Sequence, residues 1–190
     1  MLNDVSQYVV NNNINKLHIV ELGDTIQGIL RISDLKLNET SVVEATVVVS
    51  RLIAKFLNAL SQICNIEYYH VPSSNHSQTR PLGTKASELM YEDIEFIIGN
   101  YIMDILSNNE RINVHTNFGY DYIDIPIYDF NVIAMHGHTI KSLENALKDL
   151  GVMHRKLMDY VFIGHFHNGK VIPGNAHESH DTELLMSPSF

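Results

Sequence analysis

The amino-acid sequence predicts an α/β protein in which helices and strands are mixed and the strands form two sheets. Short apolar or alternating runs typical of strands recur along the chain, and longer segments with helical spacing lie between them. No repeat, low-complexity tract or linker interrupts the sequence. The 190 residues and the hydrophobic content of 45% suffice for a hydrophobic core. We therefore expect a single domain over residues 1–190.

Four segments have the spacing of amphipathic helices. The longest contains the β-branched run "VVVS", which favours a strand, but Val49, Ile53 and Phe56 recur with a helical period over a segment too long for one strand. Either Thr40 or Ser41 is expected to begin this helix as its N-cap. The predicted helices cover residues 2–13, 39–64, 88–107 and 140–150, the last ending at Gly151.

Eight further runs are typical of strands, because β-branched, aromatic and aliphatic residues dominate them and turn residues bound them. They cover residues 16–22, 66–71, 112–116, 120–128, 130–136, 160–165, 170–174 and 183–190.

Composition limits the partners that the chain can have. The net charge is −9 and no Lys/Arg-rich run occurs, so a broad basic face for non-specific nucleic-acid binding is not expected. The single cysteine, Cys64, cannot form an internal disulfide. No signal peptide opens the sequence and no apolar run reaches transmembrane length. These features predict a cytoplasmic protein without a membrane partner.

Histidine is the unusual residue of this composition. The chain has 11, and four of them fall in two tight pairs, His136/His138 and His165/His167. His165 and His167 are expected to point to one place if the chain stays extended past Gly164, because residues i and i+2 of a strand share a face. Imidazole is the commonest side-chain ligand of transition metals. The alternative for one pair alone is a surface loop with two incidental histidines.

Side chains able to bind a metal or donate a proton follow four of the predicted strands, and strand carboxyl ends are where α/β sheets build their sites. A two-metal hydrolytic site needs such a set. A carboxylate can bridge two ions about 3.5–4 Å apart, imidazole and amide groups complete their shells, and a free histidine can protonate the leaving oxygen. In chain order these side chains are Asp24, Asn75, His76, His136, His138, His165 and His167.

The order of these motifs resembles the calcineurin-like metallophosphoesterase family. That family's signature runs Asp-x-His, Gly-Asp, Gly-Asn-His-Asp/Glu, a strand-terminal His and Gly-His-x-His. This chain has Gly-Asp at residues 23–24, Asn-His at 75–76, "MHGH" at 135–138 and "GHFH" at 164–167. The resemblance extends from Lys16 to the end, and it is nearest to the branch of phage-encoded phosphoesterases and nucleases related to the Mre11/SbcD exonucleases. It implies a two-sheet αββα sandwich and a metal-dependent phosphoesterase, with phosphodiesters such as DNA as the expected substrate.

Carried over position by position, the resemblance also implies two divalent metal ions. The ligand types suit Mn, Fe, Zn and Ni alike and do not decide the identity of the metal. Asp24 would bridge the two ions. His76 would be the general acid or a phosphate-orienting group, and His138 matches no invariant ligand. The remaining ligands would be Asn75, His136 and His165 for one ion and His167 for the other.

Two departures from the signature affect these expectations. No Asp-x-His precedes Asp24, and the final "SPSF" looks cut within a strand, so truncation at both ends is the simplest explanation. The second ion would then have only Asp24 and His167 as ligands from the protein, so only the first ion is expected to bind well. The third motif reads Ser-Asn-His-Ser, so Ser77 replaces the acidic neighbour that would hold His76. Arg80, in the same loop, is either a phosphate ligand through its planar guanidinium or a solvated side chain.

Two other functions stay open at this level. A non-catalytic metal- or partner-binding domain on the same fold is favoured by the missing first motif and the acidic charge. A structural zinc site is less favoured, because such sites prefer cysteine-rich ligand sets and the chain has one cysteine. The oligomeric state is not indicated by the sequence.

Overall fold

The structure is a computed structural model that describes residues 1–28, 36, 38–80, 83–85, 88, 92–174 and 182–188. Within these residues the helices are α1 (Leu2–Asn11), α2 (Val42–Leu60), α3 (Ile94–Leu106) and α4 (Ala146–His154). The strands are β1 (Lys16–Glu21), β2 (Asn65–His70), β3 (Ile112–His115), β4 (Tyr122–Asp124), β5 (Val132–Met135), β6 (Tyr160–Ile163), β7 (Lys170–Pro173) and β8 (Glu183–Met186).

The strands form two sheets, as the sequence predicts. The first has the order β1-β2-β3, and all of its strands are parallel. The second has the order β4-β5-β6-β8-β7. Its three central strands are parallel, and β4 and β7 are antiparallel strands at its edges. Parallel strands end on the same side of a sheet, so the loops after β1 and β2 are neighbours, and so are the loops after β5 and β6.

Alternation of side chains along the strands places a helix layer outside each sheet. Tyr69 of β2 packs with Val132 and Ala134 of β5 in an apolar cluster between the sheets. Tyr68 faces the opposite way, into the cluster that contains α2 and α3. Ile133 of β5 likewise turns away from the first sheet and packs with residues of α4. The layers are therefore helices, sheet, sheet and helix, and the predicted two-sheet α/β architecture is confirmed.

The helix α2 begins as the sequence predicts. Ser41 is its N-cap, and the hydroxyl of Ser41 accepts a hydrogen bond of 3.1 Å from the backbone N–H of Glu44. The β-branched run in this helix does not form a strand, because the helical period of its apolar side chains buries one face against the first sheet.

The boundaries predicted for the helix at residues 140–150 are wrong. The helix α4 covers Ala146–His154, and Gly151 lies inside it. The helix ends instead at Arg155, which adopts a left-handed conformation with φ of 55°, and the N–H of Lys156 bonds the Gly151 carbonyl at 3.1 Å. The apolar residues before Ala146 that continue the helical spacing lie in a non-helical segment and pack in the same core. The helical spacing in the sequence is therefore longer than the helix itself.

No helix in the described part of the chain is long and apolar enough to cross a membrane.

Candidate metal centre

The loop after β1 turns sharply at Gly23 and Asp24. Gly23 has a φ of +84°, and a Cβ at this position would lie 2.9 Å from the Cβ of Ser74 and 3.1 Å from Nδ1 of His136. Asp24 also adopts the left-handed conformation, with a φ of 57°, which is uncommon outside glycine but tolerated by aspartate. Glycine at residue 23 therefore allows the loop to approach both neighbouring loops closely and brings the Asp24 carboxylate between them.

The Asp24 carboxylate makes one contact with each of these loops. Its Oδ1 accepts a 3.0 Å hydrogen bond from the backbone N–H of His76, and its Oδ2 lies 3.1 Å from Nε2 of His136. Burial would raise the pKa of Asp24, but the hydrogen bond and charge of His136 and the His76 N–H outweigh burial and hold this pKa below its ordinary value. The carboxylate is thus ionised at neutral pH and available as a metal ligand.

Asn75 links the two sheets. It follows β2, and its side-chain Oδ1 lies 2.8 Å from Nε2 of His136 and 3.0 Å from Nδ1 of His165. The two histidines follow β5 and β6, and their rings meet edge to face with centroids 5.1 Å apart. The amide oxygen is therefore in direct contact with two imidazole nitrogens that the sequence predicts as metal ligands.

A hydrogen bond to a backbone carbonyl fixes the orientation of the His136 ring. Its Nδ1 lies 2.8 Å from the carbonyl oxygen of Leu22, so Nδ1 carries a proton and donates it. In the neutral ring Nε2 then presents a lone pair, and this lone pair faces the oxygens of Asp24 and Asn75. The three converging lone pairs repel one another unless a cation lies between them, which is either a metal ion or a proton on Nε2. The pKa of His136 is raised accordingly: burial opposes this, and the Asp24 carboxylate outweighs it.

The chain does not stay extended past Gly164, which was the condition for aiming both histidines of "GHFH" at one point. The strand β6 ends at Ile163, and both His165 and His167 are in the left-handed conformation, with φ of 52° and 56°. The prediction from strand alternation is therefore wrong in its geometry. His165 still reaches the site because its backbone reverses, whereas His167 is exposed and lies outside the group of converging ligand atoms.

The His76 ring is held by a residue that sequence reasoning missed. Its Nδ1 lies 2.9 Å from Oε1 of Gln27, and its Nε2 is 4.0 Å from Oδ2 of Asp24. Ser77, at the position of the expected acid, instead bonds Asp93, which also accepts the backbone N–H of Ser74 at 2.9 Å. Asp93 therefore fixes the loop, and Gln27 orients the ring.

His138 and Arg80 have contacts that differ from those of the converging set. The His138 ring centroid is 5.4 Å from that of His136, and its buried Nδ1 has no hydrogen-bond partner. Burial and the neighbouring charges of His136 and His165 lower the pKa of His138 to about 4. The guanidinium of Arg80 is bonded to Gln78 at 3.0 Å and to the carbonyl of Thr84 within its own loop.

The converging donors fit a divalent transition-metal ion. One ligand atom each from Asp24, His136 and His165 all lie within 4.8 Å of one another, and Asn75 adds a neutral oxygen between the two rings. A carboxylate, an amide oxygen and two imidazoles suit Mn, Fe, Zn or Ni. The bond from His136 to the Leu22 carbonyl is the kind of outer contact that orients a ligating histidine.

Comparison with known proteins finds a relative encoded by a prophage. The chain is 34% identical over 190 residues to the SPbeta prophage-derived uncharacterized protein YonJ of Bacillus subtilis. The match covers 100% of this chain and 47% of that protein, so the chain spans about half the length of the curated relative. No protein-family model matches the sequence.

Solved structures that resemble the chain include an archaeal phosphodiesterase, with a TM-score of 0.48, 17% identity and coverage of 99% of this chain and 75% of that one. Vps29 from Entamoeba histolytica complexed with Zn²⁺ gives a TM-score of 0.39 at 16% identity over 92% and 73% of the two chains. A Streptococcus pneumoniae protein described as a predicted phosphoesterase gives 0.37 at 10% identity over 92% and 71%. These TM-scores lie below 0.5, so the geometry of the chain's own residues carries the functional assignment.

Proposed function

We propose that this chain is a metal-dependent phosphoesterase domain that acts on phosphodiesters, with DNA as a substrate and exonuclease-like cleavage as the reaction. The observation that carries the proposal is the convergence of Asp24, Asn75, His136 and His165, four metal-binding groups from loops that follow four different strands of two sheets. The order of these groups along the chain is the order of the metallophosphoesterase motifs.

A divalent metal bound by these four groups would polarise the phosphoryl group and supply hydroxide as the nucleophile. The protein's part is to hold its ligands in place. Asp24 is fixed by the backbone N–H of His76 at 3.0 Å, and His136 by the Leu22 carbonyl at 2.8 Å. We also propose that Asp24 bridges the two ions and that His167 is a ligand of the second ion. His167 is exposed, which supports weaker binding of that ion.

His76 is proposed as the general acid. With Nδ1 bonded to Gln27, its Nε2 is the nitrogen that faces the metal ligands, 4.0 Å from Oδ2 of Asp24. A proton on Nε2 can be transferred to the leaving oxygen of an ester bound there, and Gln27 keeps the ring from turning away. Arg80 is proposed to contact the substrate phosphate, for which it would have to exchange its bonds to Gln78 and Thr84.

The proposal is tested with bis-p-nitrophenyl phosphate and the Mn²⁺-loaded chain. We expect slow hydrolysis that disappears with EDTA and in Asp24→Asn, since the second ion has few ligands here. Glu67→Gln is a matched control, because Glu67 also pairs with a histidine, His115, at 2.8 Å. Stoichiometric Mn²⁺ binding with no hydrolysis of this ester or of DNA would instead support a non-catalytic metal-binding domain.

A further inference from the structure

A second cluster of histidine and carboxylate groups lies behind the candidate metal centre. It consists of Glu21 at the end of β1, His70 at the end of β2 and Glu95 in the first turn of α3. The side chains of His70 and Glu95 are fully buried, at 0% exposure, and that of Glu21 is 20% exposed. We call these three residues the inner cluster. None of them belongs to the motifs identified in the sequence.

Either a metal ion or a proton could be held by the inner cluster, because one ligand atom from each of its three residues lies within 4.8 Å of the others. The contacts of the His70 ring favour the proton. Oε2 of Glu95 lies 3.0 Å from Nε2 of His70, and Oε2 of Glu21 lies 3.2 Å from Nδ1. The two carboxylates therefore approach opposite nitrogens of one ring. The lone pairs of these nitrogens diverge, so a single ion cannot bind both contacts, whereas an imidazolium donates from both nitrogens at once.

We propose that His70 is held as a doubly protonated imidazolium between Glu21 and Glu95, and that this buried cation, not a metal ion, is a positioning element for the two loops that carry Asp24 and Asn75. The positioning role rests on the proposed function of those loops, and the protonation of His70 does not.

Glu95 connects the inner cluster to both loops. Its Oε1 accepts the backbone N–H of Thr25 at 2.8 Å, and its Oε2 accepts the Thr25 hydroxyl at 2.7 Å. The hydroxyl of Ser74 makes a longer contact of 3.4 Å with the same carboxylate. Thr25 follows Asp24 and Ser74 precedes Asn75, so one carboxylate sets the distance between the two ligand-bearing loops.

Glu21 holds the same turn from its other side. Its Oε1 accepts the backbone N–H of Gly23 at 3.0 Å, while its buried Oε2 has no hydrogen-bond partner and lies 3.2 Å from Nδ1 of His70. A negative oxygen buried without a donor would be costly. A proton on Nδ1 of His70 or on Oε2 itself removes that cost, and the approach of carboxylate oxygens to both ring nitrogens, at 3.2 and 3.0 Å, favours the imidazolium.

Packing against α3 holds the His70 ring in this position. A Cβ on Gly99 would lie 2.9 Å from Cδ2 of His70 and 3.0 Å from the Thr116 hydroxyl, so only glycine lets the helix lie on the ring. The Tyr68 hydroxyl also lies 3.0 Å from Nδ1. Burial would lower the pKa of His70, but Glu21 and Glu95 outweigh burial and raise it. Burial raises the pKa of Glu21 to about 7, against the charge of His70. The inner cluster therefore retains a proton near neutral pH.

The protonation is tested by the ring ¹⁵N chemical shifts of His70 in the metal-free and Zn²⁺-loaded full chain at pH 6.5. We expect both nitrogens to be protonated in both samples, with Zn²⁺ shifting the rings of His136 and His165 instead. An unprotonated nitrogen on His70 in the metal-free protein, or Zn²⁺ bound to His70, would overturn the proposal.

The positioning role is tested by hydrogen exchange of the Thr25 amide in the metal-free chain. Glu95→Gln should speed this exchange by about 10- to 100-fold, because the amide loses a charged acceptor. Glu67→Gln, which alters a carboxylate–histidine pair elsewhere in the same sheet, should not change it. Unchanged exchange in Glu95→Gln would overturn the role. Should that variant fail to fold, Gly99→Ala, whose Cβ would displace the His70 ring that Glu95 contacts, should also speed the exchange of the Thr25 amide without changing a charge.

A Zn²⁺ titration of the same samples keeps the two proposals apart. Wild-type protein that binds no Zn²⁺ but has a doubly protonated His70 and a protected Thr25 amide would refute the proposed function and support the inner cluster. Wild-type protein that binds Zn²⁺ at His136 and shows a singly protonated His70 would support the proposed function and refute the proposal for the inner cluster.

Discussion

The Nε2 atom of His136 lies 3.1 Å from Oδ2 of Asp24, and the Nδ1 atom of the same ring lies 2.8 Å from the Leu22 carbonyl, two residues before Asp24. One loop therefore contacts both nitrogens of the ring. The backbone fixes the tautomer, and the carboxylate faces the nitrogen that remains for a metal. This relationship makes His136, and not the nearby His138, the ligand expected from the "MHGH" motif.

His136→Ala or His165→Ala should abolish measurable metal binding at the converging set, because each removes an imidazole that contacts Asn75. His138→Ala is the matched control and should leave the affinity nearly unchanged, since His138 lies outside the set. Titration calorimetry with Mn²⁺ or Zn²⁺ measures both effects. Loss of binding in His138→Ala with retention in His136→Ala would reverse the assignment.

His76→Ala should lower kcat for a phosphodiester by about 10²–10⁴-fold, the usual contribution of a positioned acid. Gln27→Ala should lower kcat by a smaller factor, because the acid itself is retained and only the orientation of its ring is lost. Elemental analysis should show unchanged metal content in both variants. A larger loss in Gln27→Ala than in His76→Ala would contradict the positioning of the acid by Gln27.

The contribution of Glu21 to the stability of the metal-free protein should fall as the pH rises from about 5 to about 8. The folded-state pKa of Glu21 is raised by burial from 4.5 to about 7, so this carboxyl binds more protons in the folded chain than in the unfolded chain in this interval. The raised pKa of His70 acts in the same direction, because its contribution is complete below 6.5 and is lost as the pH rises through the folded value. The difference in Tm between the wild type and Glu21→Gln should therefore fall as the pH rises, and a difference that does not change with pH would show that Glu21 does not titrate in this range.

Asp93→Ala should lower the free energy of unfolding by about 2–4 kcal/mol, the combined cost of a lost helix cap and lost buried hydrogen bonds. Asp93 is the N-cap of α3 and accepts the N–H of Glu95 at 3.0 Å in addition to its bonds to Ser74 and Ser77. Ser41→Ala, at the exposed cap of α2, should cost about 1 kcal/mol in the same urea titration. Equal losses in the two variants would show that the loop bonds of Asp93 add nothing.

The strand ends that carry the site were predictable, because apolar runs that stop at Gly-Asp, a polar loop or His-Gly-His mark where a buried strand ends. The backbone conformation at these strand ends was not predictable from the sequence. Asp24, His165 and His167 are all left-handed, and no sequence period signals a single reversed residue. Strand alternation therefore gave the wrong geometry for His165, which joins the converging group through a left-handed backbone conformation.

Residues that act from a distance in the sequence were also not predictable. Glu95 contacts Thr25 across 70 positions, and in the sequence it is only one acidic residue in the first turn of a helix. Gln27 contacts His76 across 49 positions and lies in no motif. His70 has no motif either, and its full burial depends on the approach of α3 over Gly99, which requires the assembled core.

The central claim is that Asp24, Asn75, His136 and His165 together bind one divalent metal ion tightly. The most direct test is the metal content per chain after gel filtration in limiting Mn²⁺ or Zn²⁺, measured by elemental analysis for the wild type and His136→Ala. One ion per wild-type chain and none in the variant is the predicted result. No metal in the wild type, or two equally tight ions, would contradict the claim of one complete site.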